Sequence, residues 1–214
     1  MRDRETPGLR CARCRLHLGL CVCALLPRLE TRTRLVLVMH RLEARKSTNT
    51  GRLAALCLAN SEIVLRGDGA RPPEPFAFDP ATRPLFLFPH PGARPLSREA
   101  AGGRPVTLVV PDGTWRQASK VRKRVPGLDA LPCVALPNEG PSGYRLRRWP
   151  HEEGLSTLEA VARAMGELEG EPVRRALERV LRVAVERTLW ARGRLDAGEV
   201  TGGIPEAARR RPDG

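Results

Sequence analysis

Short unbroken apolar runs alternate along this chain with stretches in which apolar residues recur every three or four positions. The run RLVLVM at 34–39 ends in His40 and has the length of a buried strand. Beyond it, Thr50 is placed to cap a helix carrying Leu53, Leu56 and Cys57, and Glu62 to Leu65 then reads as a second strand. A proline-rich loop at 71–84 leads to the strand candidate PLFLFPH, and a glycine- and arginine-rich connector leads to PVTLVVPDGTW, the clearest strand of all. WRQASKVRKR at 115–124 reads as a short basic helix stopped by Pro126 and Gly127, before a further strand candidate at Cys133 to Leu136. LSTLEAVARAMGELEG has helical periodicity with Ser156 and Glu159 at capping-box spacing, and Val173 to Arg192 supplies a longer terminal helix. Buried strands between helices predict an α/β fold, with a mainly parallel sheet and flanking helices.

A chain of 214 residues suits one main domain with a small appendage. The expected division is a Cys- and Arg-rich head at 1–30, a principal domain at 31–195 and a disordered tail at 196–214. Charge adds a partner class: 37 Lys and Arg against 24 Asp and Glu leave a formal +13, which suits a polyanion such as nucleic acid. A genome rich in arginine codons would give the same excess, so composition alone leaves both readings open. The apolar runs are far shorter than a bilayer span, and MRDRETPGLRC does not read as a signal peptide, so the expected location is the cytoplasm. No Walker-type phosphate loop and no GxGxxG motif is present, which argues against a nucleoside triphosphatase or a dinucleotide enzyme.

In a reducing compartment clustered cysteines point to metal. Cys11, Cys14, Cys21 and Cys23 read C-x2-C-x6-C-x-C, four soft ligands within 13 residues, the number that closes a tetrahedral structural zinc site. The rival readings are four free thiols, or redox chemistry at Cys11 and Cys14. Asp112 follows VTLVVP directly and so falls at the carboxyl end of a strand, where open α/β sheets place their ligand crevices. Asp112 or Thr114 would serve equally as a helix N-cap, and the capping box is a sufficient account of Ser156. The loop PNEGPSGYRLRRWP combines Tyr144 and Trp149 with Arg145, Arg147 and Arg148, a mixture suited to stacking on bases and pairing with phosphates.

Taken in order, the four-cysteine head, MHRLEARKSTNTGRL at 39–53, PDGTW, SGYRLRR and LSTLEA resemble the DTW-domain family of tRNA-uridine aminocarboxypropyltransferases, whose D-x-T-W signature is Asp112, Gly113, Thr114 and Trp115. The head departs from the family pattern in holding Arg15 to Leu20 where a proline is often found. The resemblance implies a knotted, SPOUT-like domain binding S-adenosylmethionine (SAM), with tRNA as partner. It implies chemistry at Asp112, Thr114 and Trp115, and donor contacts among His40, Glu43, Asn49, Thr50, Pro111, Ser142, Tyr144, Arg145, Ser156 and Thr157. Basic residues flanking the signature, Arg116, Lys120, Arg122, Lys123 and Arg124, together with Arg147 and Arg148, are the expected RNA contacts.

The implied reaction is attack by uridine N3 on the γ-carbon of the methionine moiety. Asp112 is the best-placed base, although an ordinary Asp titrates near 4 and would need help from its surroundings. Arg145 or Arg147 would alternatively stabilise the uridinate or grip the donor carboxylate. Two other readings stay open at this point: a SAM-dependent RNA methyltransferase on the same fold, and a non-catalytic zinc-containing RNA-binding module.

Overall fold

The computed structural model describes residues 9–67, 75–137, 140, 142–146 and 154–209. Among these residues six strands form one sheet: β1 (Arg34–His40), β2 (Ser61–Arg66), β3 (Arg83–Leu87), β4 (Arg94–Pro95), β5 (Val106–Asp112) and β6 (Cys133–Ala135). Their order is β2-β1-β5-β3-β6-β4 and every pairing is parallel. Both central strands come from the least polar runs, and all seven residues of β5 are buried. Such strands need a covered surface on each face, which the rest of the chain supplies.

Alternation along the strands sorts side chains between two layers. Leu35, Leu37 and Met39 of β1 and Leu108 and Val110 of β5 face α2 (Gly51–Cys57), α5 (Thr157–Glu169) and α6 (Glu171–Ala191), forming the larger core. Val36, Val38, Phe86 and Val109 face the opposite way, onto Val121 and Val125 at α4 (Val121–Arg124). This second layer is thin. The segment read as one basic helix is broken into α3 (Trp115–Ala118) and α4, with Val121 and Val125 turned into the core.

Three other expectations change. Thr50 occupies the residue before α2 but its side chain makes no capping bond; Asn49 Oδ1 accepts from the Arg52 amide at 2.9 Å instead. The two-residue strand β4 has no signature in the sequence and exists by pairing with β6. The segment from 196 onward, expected as a disordered tail, is folded as far as Arg209. It contains a short 3-10 turn at Ala197–Glu199 and α7 (Glu206–Arg209), with Val200 and Ile204 buried.

What anchors that segment is a polar pair on α6. Glu186 accepts from the Thr201 amide at 2.7 Å, and Arg187, only 4% exposed, donates to the Gly203 carbonyl at 3.0 Å and to the carbonyl of Cys21. One guanidinium thereby ties the cysteine head to the far end of the chain. The head is joined to the main core as well, with Cys14 and Val22 inside the larger cluster and Leu29 exchanging backbone bonds with Cys57 and Ala59. Among the described residues no helix is long and apolar enough to cross a membrane.

Candidate active site and cysteine cluster

An open crevice of about 1150 Å³ lies at the carboxyl ends of the strands and is lined by residues that follow β1, β3, β5 and β6 and by the start of α5. Asp112, the last residue of β5, is 5% exposed and on the α2/α5 side of the sheet. Asn49 Nδ2 donates to its Oδ2 at 2.6 Å and Thr157 Oγ1 to its Oδ1 at 2.6 Å. The carboxylate therefore joins the loop before α2 to the first turn of α5. Each such charge-assisted bond contributes about 1.5–3 kcal/mol. Gly51 makes room for it, since a Cβ there would stand 2.8 Å from Asp112 Oδ2.

Thr50 completes the junction by accepting, through Oγ1, the Leu158 amide at 3.3 Å. A second carboxylate holds the neighbouring wall. Glu159 accepts from the Gly143 amide at 2.6 Å, from Ser142 Oγ at 2.8 and 2.9 Å and from the Ser156 amide at 2.8 Å. It is buried and serves at once as a capping-box residue and as the anchor of the loop at 142–144. Glu43, also buried, lines the crevice and pairs with Lys46 Nζ at 2.6 Å.

Across the crevice Thr114 caps α3 reciprocally with Gln117. Trp115 is 40% exposed and leans on Phe88, ring centroids 5.6 Å apart and planes at 60°, which leaves an aromatic face at the rim. Pro111, Asp112, Thr114, Trp115, Arg116, Glu43, Asn49, Thr50, Tyr144, Ser156 and Thr157 line the cavity, whereas His40, Ser142 and Arg145 do not. His40 is instead a local brace, its Nδ1 accepting the Leu42 amide at 3.2 Å at the start of α1 (Arg41–Ala44). Tyr144 is 4% exposed and belongs to the larger core, so it is no open platform for a base. Of the expected RNA contacts, Arg116, Lys123 and Arg124 are exposed and Lys120 half-buried, but Arg122 is engaged with the Leu131 carbonyl at 2.8 Å. Arg147 and Arg148, like Trp149, lie outside the described residues.

The four clustered thiols meet at one point, all Sγ atoms within 4.8 Å of one another. Cys11 and Cys23 are 3.6 Å apart and Cys14 and Cys21 3.8 Å. A tetrahedral thiolate site with metal–sulfur bonds near 2.3 Å has edges of about 3.8 Å, close to these two separations, so the four thiols are grouped as such an ion requires. Burial raises the Cys11 thiol, but hydrogen bonds from the Cys14 and Arg13 backbone and from Cys21 and Cys23 outweigh it and bring the thiol down to about 6. Cys57 and Cys133 are buried elsewhere in the core.

Residues 8–189 match the DTW domain family, a span that covers the head, the whole sheet and most of α6. The chain belongs to the DTW-domain family. A tRNA-uridine aminocarboxypropyltransferase 2 from Drosophila melanogaster is 32% identical to it over 183 residues, covering 80% of this chain and 72% of the fly protein. Proteins of the same name from Macaca fascicularis and Mus musculus are 30% and 31% identical, each across 74% of this chain and 56% of their own length. The chain thus spans little more than half of the two mammalian relatives. No solved structure matches it.

In this DTW-domain chain several lining residues carry no sequence signal of their own. Thr48, Phe88 and Arg163 reach the crevice from three separate segments. The anchor role of Glu159 was hidden for a different reason: its capping box is complete with Ser156, so nothing local announces the bonds to Ser142 and Gly143.

Proposed function

We propose that this chain is a tRNA-uridine aminocarboxypropyltransferase that moves the 3-amino-3-carboxypropyl group of SAM onto N3 of a tRNA uridine. The observation that carries the reading is the clasped Asp112 at the strand-end crevice, within the D-x-T-W signature of a family whose curated relatives bear that name. The crevice volume, about 1150 Å³, exceeds the roughly 300–1,000 Å³ usual for a small-molecule pocket and leaves room for a donor and a nucleobase together.

When bound, SAM supplies an electrophilic γ-carbon next to a sulfonium that leaves as neutral 5′-methylthioadenosine. The residues suited to hold it are those on the α2/α5 side: Glu43, Asn49, Thr50, Ser156 and Thr157. Asp112 takes the proton from uridine N3, while the N3 electron pair forms the new carbon–nitrogen bond. Because three carbons on a sulfonium are open to attack, orientation decides the product, and the clasp and the Glu159 anchor are the rigid supports for it. Trp115 offers its open face to the target base. The cysteine cluster holds a structural zinc ion with no open position. A reducing cytoplasm, where such thiolates stay available to metal, suits this assignment.

The co-product tests the assignment. Incubation of the protein with tRNA and SAM releases 5′-methylthioadenosine, seen by chromatography. Release of S-adenosylhomocysteine would make the chain a methyltransferase, and release of neither would leave it a binding module.

A further inference from the structure

We propose that Arg66 and Arg124 form a clamp for one backbone phosphate of the tRNA, on the sheet face opposite the Asp112 clasp; this rests on the tRNA-modifying reading above. Alternation along β2 puts Arg66 on the same face as Val64, the face on which Val121 of α4 and Val125 just beyond it are packed, and Arg124 is the last residue of α4. Strand register sets the distance to the chemistry. Asp112 pairs with Met39 and Met39 with Leu65, so Arg66 stands one residue beyond the level of Asp112 and two strands away, about 10 Å at the usual strand spacing. A nucleotide strand whose base reaches Asp112 is long enough to reach Arg66.

The end of β2 is held in one geometry. Gly67 follows β2 with φ at 88°, and a Cβ there would stand 2.6 Å from His40 Nε2, while the His40 ring accepts the Leu42 amide at 3.2 Å. The backbone next to Arg66 is therefore packed closely against the His40 ring. Neither Arg66 nor Arg124 forms an ion pair or a side-chain hydrogen bond with any described residue, unlike Arg34, which meets Glu62 at 2.5 Å, and Arg122, which is committed to Leu131. Burial, and after it the charge of Arg124, weakens the hold of Arg66 on its proton, so the two cations stand in each other's field. Like charges so placed oppose each other until an anion enters between them. Planar guanidinium forks match the oxygens of a phosphate, and a phosphodiester is the anion that a tRNA presents at regular intervals.

The test is tRNA affinity across a range of salt concentrations for the wild-type chain, Arg66→Gln, Arg124→Gln and the double variant. Arg179→Glu on the exposed side of α6 serves as control, and SAM affinity of each variant reports on its fold. With one shared phosphate the log–log salt slope of the double variant falls by about 0.7–0.9, and the losses of the two single variants sum to more than that of the double. Arg66→Lys, which keeps the charge, retains the slope while weakening the bidentate grip. A double variant with wild-type affinity and slope, in a chain that does bind tRNA, would overturn the clamp alone. Losses that add as two independent contacts would also overturn it. A wild-type chain with no affinity for tRNA would remove the underlying reading and the clamp with it.

Discussion

The two faces of the sheet meet at the same strand ends and are built on opposite principles. On the α2/α5 side charge is buried and answered: Asp112 is held by Asn49 and Thr157, Glu159 by Ser142, Gly143 and Ser156, and Glu43 by Lys46. On the α3/α4 side Arg116, Lys123 and Arg124 are exposed, Arg66 is half-buried, and neither Arg66 nor Arg124 is answered by any described residue. Short hydrogen bonds between buried groups fix positions to fractions of an ångström and respond little to salt. Exposed cations fix nothing so finely, but act over a Debye length of roughly 8–10 Å and weaken as salt rises. The difference assigns geometry-sensitive work to the first face and polyanion attraction to the second.

Disturbing the clasp breaks this division most severely. Asp112→Asn removes the proton acceptor and sets an amide against two donors, so transfer falls by about 10²–10⁴-fold, while tRNA affinity stays within about twofold. Single-turnover transfer and filter binding measure the two sides separately; a folded variant with full activity would end the role of Asp112. Gly51→Ala acts on the same group by crowding, its new Cβ 2.8 Å from Asp112 Oδ2, and lowers transfer without touching a basic residue.

Loss of the proposed zinc ion comes next in size, and it tests the support of the larger core behind the clasp. Cys14 is buried in the main core with the other three cysteines packed against it, and Arg187 ties Cys21 to the 202–203 turn. Chelation, or Cys14→Ser, should therefore lower the midpoint of thermal unfolding by at least about 5 °C, at the 2–4 °C per kcal/mol usual for a chain of this size. Elemental analysis finding no zinc in protein purified without chelator would contradict the site itself.

The anchor comes third. Glu159→Gln keeps the shape of the side chain but loses its charge and turns an amide towards Ser142 or Gly143. The 142–144 wall then loosens and KM for SAM rises by about tenfold, with a smaller change in kcat, as calorimetric SAM binding in the absence of tRNA would also register.

How much of this was legible beforehand follows from the range of each interaction. β1 and β5 are unbroken apolar runs, and the Cys11–Cys23 spacing and the Ser156 capping box are complete within a few residues, so each could be read locally. The Asp112 clasp joins residues 63 and 45 positions apart, and no periodicity encodes such a meeting. The same limit explains the segment after 196, whose polar composition resembles a tail until Glu186 and Arg187 of α6 supply its partners. It also explains Arg122, indistinguishable in sequence from the exposed Lys123 but turned inward onto Leu131. Tyr144 stands in a loop rich in Arg and Gly yet lies in the core, because its neighbours are drawn in by Glu159.

The smallest effect sharpens the comparison from the other side. Lys123→Glu weakens tRNA binding by severalfold at low salt and by less at high salt, and lowers the salt slope, while SAM affinity is unchanged. Equal loss of donor and tRNA binding would mean that the two faces are not separate.

The central claim, that the clasped aspartate directs aminocarboxypropyl transfer to a tRNA uridine, is tested most directly by mass spectrometry of nucleosides. The tRNA is incubated with SAM and either the wild-type chain or Asp112→Asn, then digested. The account predicts a uridine carrying the 3-amino-3-carboxypropyl group with the wild-type protein and none with the variant; a methylated uridine, or unmodified uridine in both samples, would contradict it.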